Sequence, residues 1–102
     1  MGMTFHELKV DRKEFRPLFL GHKTFELRFN DRDYQLGDKL ILKETLWSGE
    51  EMKAGKGPLE YTGWIVEAIV TNILRGPIWG LASGWVILSI QIESRTYLRE
   101  EP

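Results

Sequence analysis

The sequence predicts an α+β domain that is mainly β: a small, strongly curved β-barrel of about five to six strands with one early helix covering an opening. Three observations carry this. Five segments alternate apolar and polar residues, or concentrate β-branched ones, at strand periodicity. A single early segment repeats its apolar residues at helical spacing. The joins between them are mostly short and marked by Gly, Asp or Pro. With 102 residues the chain has the size of one domain, so 1–102 is read as a single unit.

Phe5 to Val10 reads as the first strand, with His6, Leu8 and Val10 on one face. Asp11 to Leu20 reads as a short helix. Asp11 is a good N-cap, Glu14 stands where a capping box places its acid, and Phe15, Leu18 and Phe19 face the core. Gly21 is suited to end it in a left-handed conformation. Pro17 removes a backbone donor, which predicts a kink or a late start. Lys23 to Phe29 alternates: Lys23, Phe25, Leu27 and Phe29 on one parity, the apolar set facing the core, and Thr24, Glu26 and Arg28 on the other. The polar turn Asn30-Asp31-Arg32-Asp33 follows. Lys39 to Leu46 is the next strand, closed by Trp47.

Ser48 to Glu60 holds three glycines, a proline and five charges, and reads as a mobile surface loop. Tyr61 to Leu74 is a long strand bending around a barrel, with Gly63 marking a bulge. In the glycine-rich segment after it, Ile78, Trp79 and Leu81 are too apolar for solvent and are expected to plug one end of the barrel. Trp85 to Ile92 is apolar on both parities in its first half, as in a strand buried on two sides. Glu93 to Pro102 is charged, with Tyr97 and Leu98 as anchors, and is read as a tail that pairs at an edge or frays.

A composition of 42% hydrophobic and 28% charged residues with a net charge of −1 lacks a strongly basic footprint. That counts against non-specific duplex binding, which rests on many phosphate contacts, and leaves recognition of a few nucleotides in a pocket. The absence of cysteine excludes disulfides, thiol nucleophiles and zinc-thiolate sites. His6 and His22 form no ligand-spaced pair, so no metal is expected. Neither a P-loop nor a G-x-G-x-x-G is present, and no cofactor is expected. With no signal-peptide pattern and no long apolar run, the expectation is a cytoplasmic protein without membrane contact.

The Lys23–Arg28 strand is the candidate site. Lys23 offers a phosphate contact or an amine nucleophile. Arg28 offers a fork for phosphate or a base edge. Glu26 would orient that fork, accept from a base amino group or act as a general base. His6, Asn30, Asp31 and Arg32 extend the polar set. Trp47 stands at a strand end, beside the long loop, and is the best placed tryptophan to stack on a base. Trp64, Trp79 and Trp85 are most simply core. The bland alternative is that Glu26 and Arg28 pair on a wall of the barrel.

Taken in order, H-E-L-K, a helix, G-H-K-T-F-E-L-R-F-N-D-R-D-Y-Q-L-G-D, L-I-L-K-E, Y-T-G and G-L-A-S-G-W-V-I-L-S-I resemble the DUF3850 family of small bacterial and phage domains over about residues 5 to 92. That family is similar to the ASCH branch of the PUA-like superfamily. The resemblance implies a PUA-like barrel with the G-x-K-x-x-E-x-R segment at its cleft, and RNA or a modified nucleoside as partner. One ASCH group resembles an amidohydrolase of N4-acylated cytidine that uses a lysine, a threonine and a glutamate. Lys23 matches that lysine, Glu26 occupies the threonine's place, and the later glutamate has no evident counterpart. If the chain is such an enzyme, Lys23, Glu26 and His6 are its catalytic candidates. A third class, a phage or bacterial regulator acting through protein contacts, is favoured by the net charge.

Overall fold

The computed structural model describes residues 3–98. Its elements are β1 (Phe5–Asp11), α1 (Arg12–Phe19), β2 (Phe25–Phe29), β3 (Lys39–Thr45), α2 (Gly49–Lys53), β4 (Tyr61–Arg75) and β5 (Trp85–Tyr97). One five-stranded sheet runs in the order β1-β3-β4-β5-β2 and curls into a half-barrel. β3, β4 and β5 form an antiparallel meander. β1 adds to β3 in parallel, and β2 adds to β5 antiparallel. Two strands consecutive in sequence are therefore the two edges, and α1 connects them.

The interior is filled by alternate residues of β1, β3, β4 and β5: Leu8 and Val10, Leu40 and Leu42, Val66, Ala68 and Val70, Val86, Leu88 and Ile90, with Phe15 and Leu18 from α1. The expected faces of β1 and of early β3 hold. Later in β3 the register with β4 shifts between Lys43 and Thr45, and Thr45 takes the inward place. The extra residues lie on β4 around Gly63, whose φ is +102°, so the predicted bulge is present. Bulges bend long strands, which lets the fifteen residues of β4 follow the curl.

β2 is reversed relative to the sequence reading. Phe25, Leu27 and Phe29 are 43%, 49% and 52% exposed, while Glu26 is 4% exposed and Arg28 is half-buried. The alternation is real, but the polar parity faces inward. Periodicity fixes which residues share a face; it does not say which face a barrel encloses when the interior offers charged partners. Outside, Phe29 packs edge-on against Trp85 at 5.8 Å, and Lys23 lies over Phe25.

Other expectations also change. Asp11 makes no side-chain cap at α1; its Oδ1 accepts from the Gly49 amide. The capping box is at α2 instead, where Ser48 and Glu51 exchange hydrogen bonds, inside the segment expected to be a structureless loop. Pro17 sits within α1 without delaying its start, and Gly21 turns the chain at φ +80° as expected. Trp64, Trp79 and Trp85 are on the surface rather than in the core. Ile78 and Leu81 pair in a narrow bridge and are half-buried. Between them Trp79 and Gly80 both have positive φ, 42° and 87°, the backbone of a type I′ turn, and Trp79 is 88% exposed. It plugs nothing. β5 continues in pairing to Tyr97, past the predicted end at Ile92; the remainder of the expected tail, 99–102, lies outside the described residues.

Candidate functional site

The half-barrel leaves a seam where β1 and β2 face each other without a shared backbone ladder. The Thr24 carbonyl accepts from the Ile90 amide, and the Asn30 amide donates to the Gly84 carbonyl. By antiparallel alternation, the backbone groups of Glu26 and Arg28 turn to β5, and those of Phe25 and Leu27 turn to the seam. The side chains of Glu26 and Arg28 then point into the barrel beside it.

These side chains form one network. Arg28 Nε donates to Glu26 Oε2 at 2.9 Å. Arg28 Nη2 donates to the Lys9 carbonyl on β1 at 2.8 Å. Lys23 Nζ stands 3.8 Å from Glu26 Oε1 and donates to Glu14 Oε2, on α1, at 2.9 Å. The guanidinium therefore closes the seam that the backbone leaves open, and Glu26 holds the guanidinium. Glu14, read from sequence as half of a capping box, is recruited by Lys23 once Gly21 has reversed the chain. The Lys23 ammonium beside it holds the Glu14 carboxyl below the usual carboxylate range.

The network lines a cavity of ≈ 560 Å³ opening along the seam. Its charged side chains balance: Lys9, Lys23 and Arg28 against Asp11, Glu14 and Glu26. Donors and acceptors remain over. A guanidinium has five N–H groups, of which Arg28 uses two. Lys23 has two N–H groups beyond the one given to Glu14, and Glu26 Oε1, at 3.8 Å from that ammonium, keeps its lone pairs. An acceptor buried between two donor groups suits a neutral ligand with an amide-like edge.

Of the sequence-predicted site residues, the seam brings together Lys23, Glu26 and Arg28. The others lie elsewhere. His6 is buried inside the barrel, with Nε2 2.8 Å from Asp38 Oδ2 and its ring edge-on to Tyr34. Asn30 caps the following turn, its Oδ1 accepting from the Tyr34 amide. Asp31 and Arg32 are exposed. Trp47 is covered by the chain at Gly57, where a Cβ would come 2.1 Å from its indole nitrogen, so its ring is a packing surface. Two residues were missed. Tyr34 is buried at the core's edge, and burial pushes its phenol above the ordinary value, against the pull of Arg28 and Arg32. Asp38 also accepts from the Gln35 amide, tying the Q-L-G-D turn to His6. That turn was legible; its inward carboxylate had no sequence signal.

Among the described residues no group of three or more His, Asp or Glu is placed to hold a metal ion, and no helix is long and apolar enough to cross a membrane. A protein-family model described as a domain of unknown function (DUF3850) matches residues 5–90. No curated protein matches the chain.

Proposed function

The chain belongs to the DUF3850 family, and from its seam we propose that it is a binding module for a nucleobase or modified nucleoside, free or within RNA, held by Lys23, Glu26 and Arg28. One observation carries this reading. β2 exposes three large apolar side chains so that a carboxylate and a guanidinium enter the barrel. Burying ions is costly even when they are paired, and an apolar replacement is often as stable. A strand that departs from the hydrophobic pattern at one place is where a function is to be sought.

The balanced charge of the cavity favours the base over the phosphate. Glu26 would accept from an imino or exocyclic amino group, and Arg28 and Lys23 would donate to the flanking carbonyl or ring nitrogen. The PUA-like kinship that the sequence motifs suggest agrees with such a ligand. Lys23 has two carboxylate neighbours, whereas an amine nucleophile is activated by desolvation or a neighbouring cation. Lys23 therefore serves recognition, not nucleophilic attack.

The test is an NMR titration of the full chain with a panel of nucleosides that includes N4-acetylcytidine, repeated on Glu26→Gln. The expected result is shifts at residues 23–28, weak dependence on salt, intact N4-acetylcytidine, and binding weakened about tenfold or more in the variant. Unmoved amides across 23–28 at millimolar nucleoside would sink the proposal, and release of acetate would replace it with the hydrolase.

A further inference from the structure

A second concave surface lies on another flank of α1. This groove of ≈ 590 Å³ is lined by Arg12, Arg16 and Phe19 of the helix, and by Glu44, Trp64 and Tyr97 of the sheet, among others. Its aromatic wall is organised. The Trp64 ring stands edge-on to Phe19 at 5.2 Å and tilted against Tyr97 at 4.8 Å, yet Trp64 keeps 41% of its surface exposed. The bulge makes this possible. A Cβ at Gly63 would lie 2.8 Å from the Tyr97 ring and 2.6 Å from the Leu98 carbonyl, so only glycine lets the two aromatics meet. A further hollow adjoins the groove and shares Thr62, Trp64 and Tyr97 with it. The aromatic pair is thus a ridge with open space on both sides.

Opposite the ridge, Arg12 and Arg16 are four residues apart on one helix face. Among the described residues neither has a carboxylate within ion-pair distance. Glu44, the one acid in the groove, accepts from the Thr62 hydroxyl at 2.7 Å. Arg12 also feels the Glu51 carboxylate on its other side, so Arg16 is the freer cation. Within the groove two guanidinium groups against one carboxylate favour an anion, and the bare indole favours a flat ring. We propose that this groove binds one nucleotide unit of a single-stranded nucleic acid, its base stacked on Trp64 and its phosphate held by Arg12 and Arg16. A proline-rich peptide would use the aromatic ridge and leave both arginines idle. The chain's overall charge of −1 confines the attraction to this local pair. The groove and the seam share no lining residue.

The test titrates the full chain with uridine, uridine 5′-monophosphate and a uridylate hexamer, following the Trp64 indole N–H and the Arg12 and Arg16 amides by NMR. The expected order of affinity is hexamer, then monophosphate, then nucleoside. Trp64→Leu should weaken hexamer binding roughly 5- to 150-fold, the range seen when one stacked base loses its aromatic partner. Because that change also touches Phe19 and Tyr97, the exposed Arg16→Gln serves as the second variant. It should weaken the monophosphate, leave uridine unchanged, and lower the slope of log affinity against log salt by about one. Shifts at residues 23–28, followed in the same spectra, report the seam separately from the Trp64 groove. Equal binding of uridine and its monophosphate, shifts confined to residues 23–28, or a Trp64 signal that answers only to a proline-rich peptide would each overturn the proposal.

Discussion

Arg28→Ala is the most informative single change, because it separates a surface ion pair from the buried one the structure describes. An exposed pair contributes about 0–1 kcal/mol. Here the Glu26 side chain is 5% exposed and that of Arg28 25%. Removing one partner of a buried pair costs about 3–5 kcal/mol, chiefly through the orphaned charge. Lys23, 3.8 Å from the same carboxylate, offsets part of this, while loss of the bond to the Lys9 carbonyl adds to it. The expected cost is about 3 kcal/mol, which lowers Tm by about 12–24 °C in a domain of this size. Adding Glu26→Gln to Arg28→Ala should restore part of the loss, since a neutral amide is cheaper to bury than an unpaired carboxylate. The assay is thermal and urea unfolding of wild type, both single variants and the double variant. A Tm change under about 4 °C for Arg28→Ala, or a double variant no more stable than Arg28→Ala, would mean that no orphaned charge is buried at Glu26.

Three further outcomes are expected. The folded-state titration of Glu14, read by carbon-detected NMR, should have its midpoint below that of an ordinary glutamate and return towards it in Lys23→Gln; its contribution to stability is complete above the unfolded-state value and is lost as pH falls through the lower, folded one. Tyr34 has the opposite sign: burial raises its folded value, so stability should fall as pH rises past about 10, where the unfolded phenol ionises, and Tyr34→Phe should flatten that alkaline slope. Trp79→Asn should raise stability by about 1 kcal/mol, because asparagine tolerates the left-handed backbone that an L-tryptophan resists; a lower Tm would mean that the indole makes a contact its exposure hides.

The strands were legible in the sequence, apart from the last five residues of β5, because period-two patterning and turn residues are local. The orientation of β2 was not. Phe25, Leu27 and Phe29 announce a core face, and only the meeting of Glu26 and Arg28 with Lys9, a residue on the other edge of the sheet, reverses it. The candidate site shows the same division. Lys23, Glu26 and Arg28 were found because they lie on one short segment, whereas Glu14 was assigned to a cap and Tyr34 was passed over, since each acquires its place through a chain reversal. His6 was rightly put on the inward face, but its partner Asp38, 32 residues away, had no local mark. The capping box at Ser48 and Glu51 was visible as S-x-x-E and was overlooked because glycine and charge dominate that stretch.

The strand order bears on how the molecule comes together in time. β3, β4 and β5 are joined in sequence and can zip from their own turns, but β1 has no ladder until β3 exists, and β2 has none until Ser89 is available to meet Phe25. Pairing across such separations closes long loops and is slow. The segment carrying Lys23, Glu26 and Arg28 precedes its ladder partner β5 in synthesis, so its backbone edge has no partner until β5 has been made. Substitutions at Leu27 are therefore expected to accelerate unfolding and leave the refolding rate nearly unchanged, while those at Val66 slow refolding; stopped-flow kinetics on the two variants would reveal the reverse order if β2 nucleates. A barrel that closes last at the β1–β2 seam is most open to mispairing in the window before that seam sets.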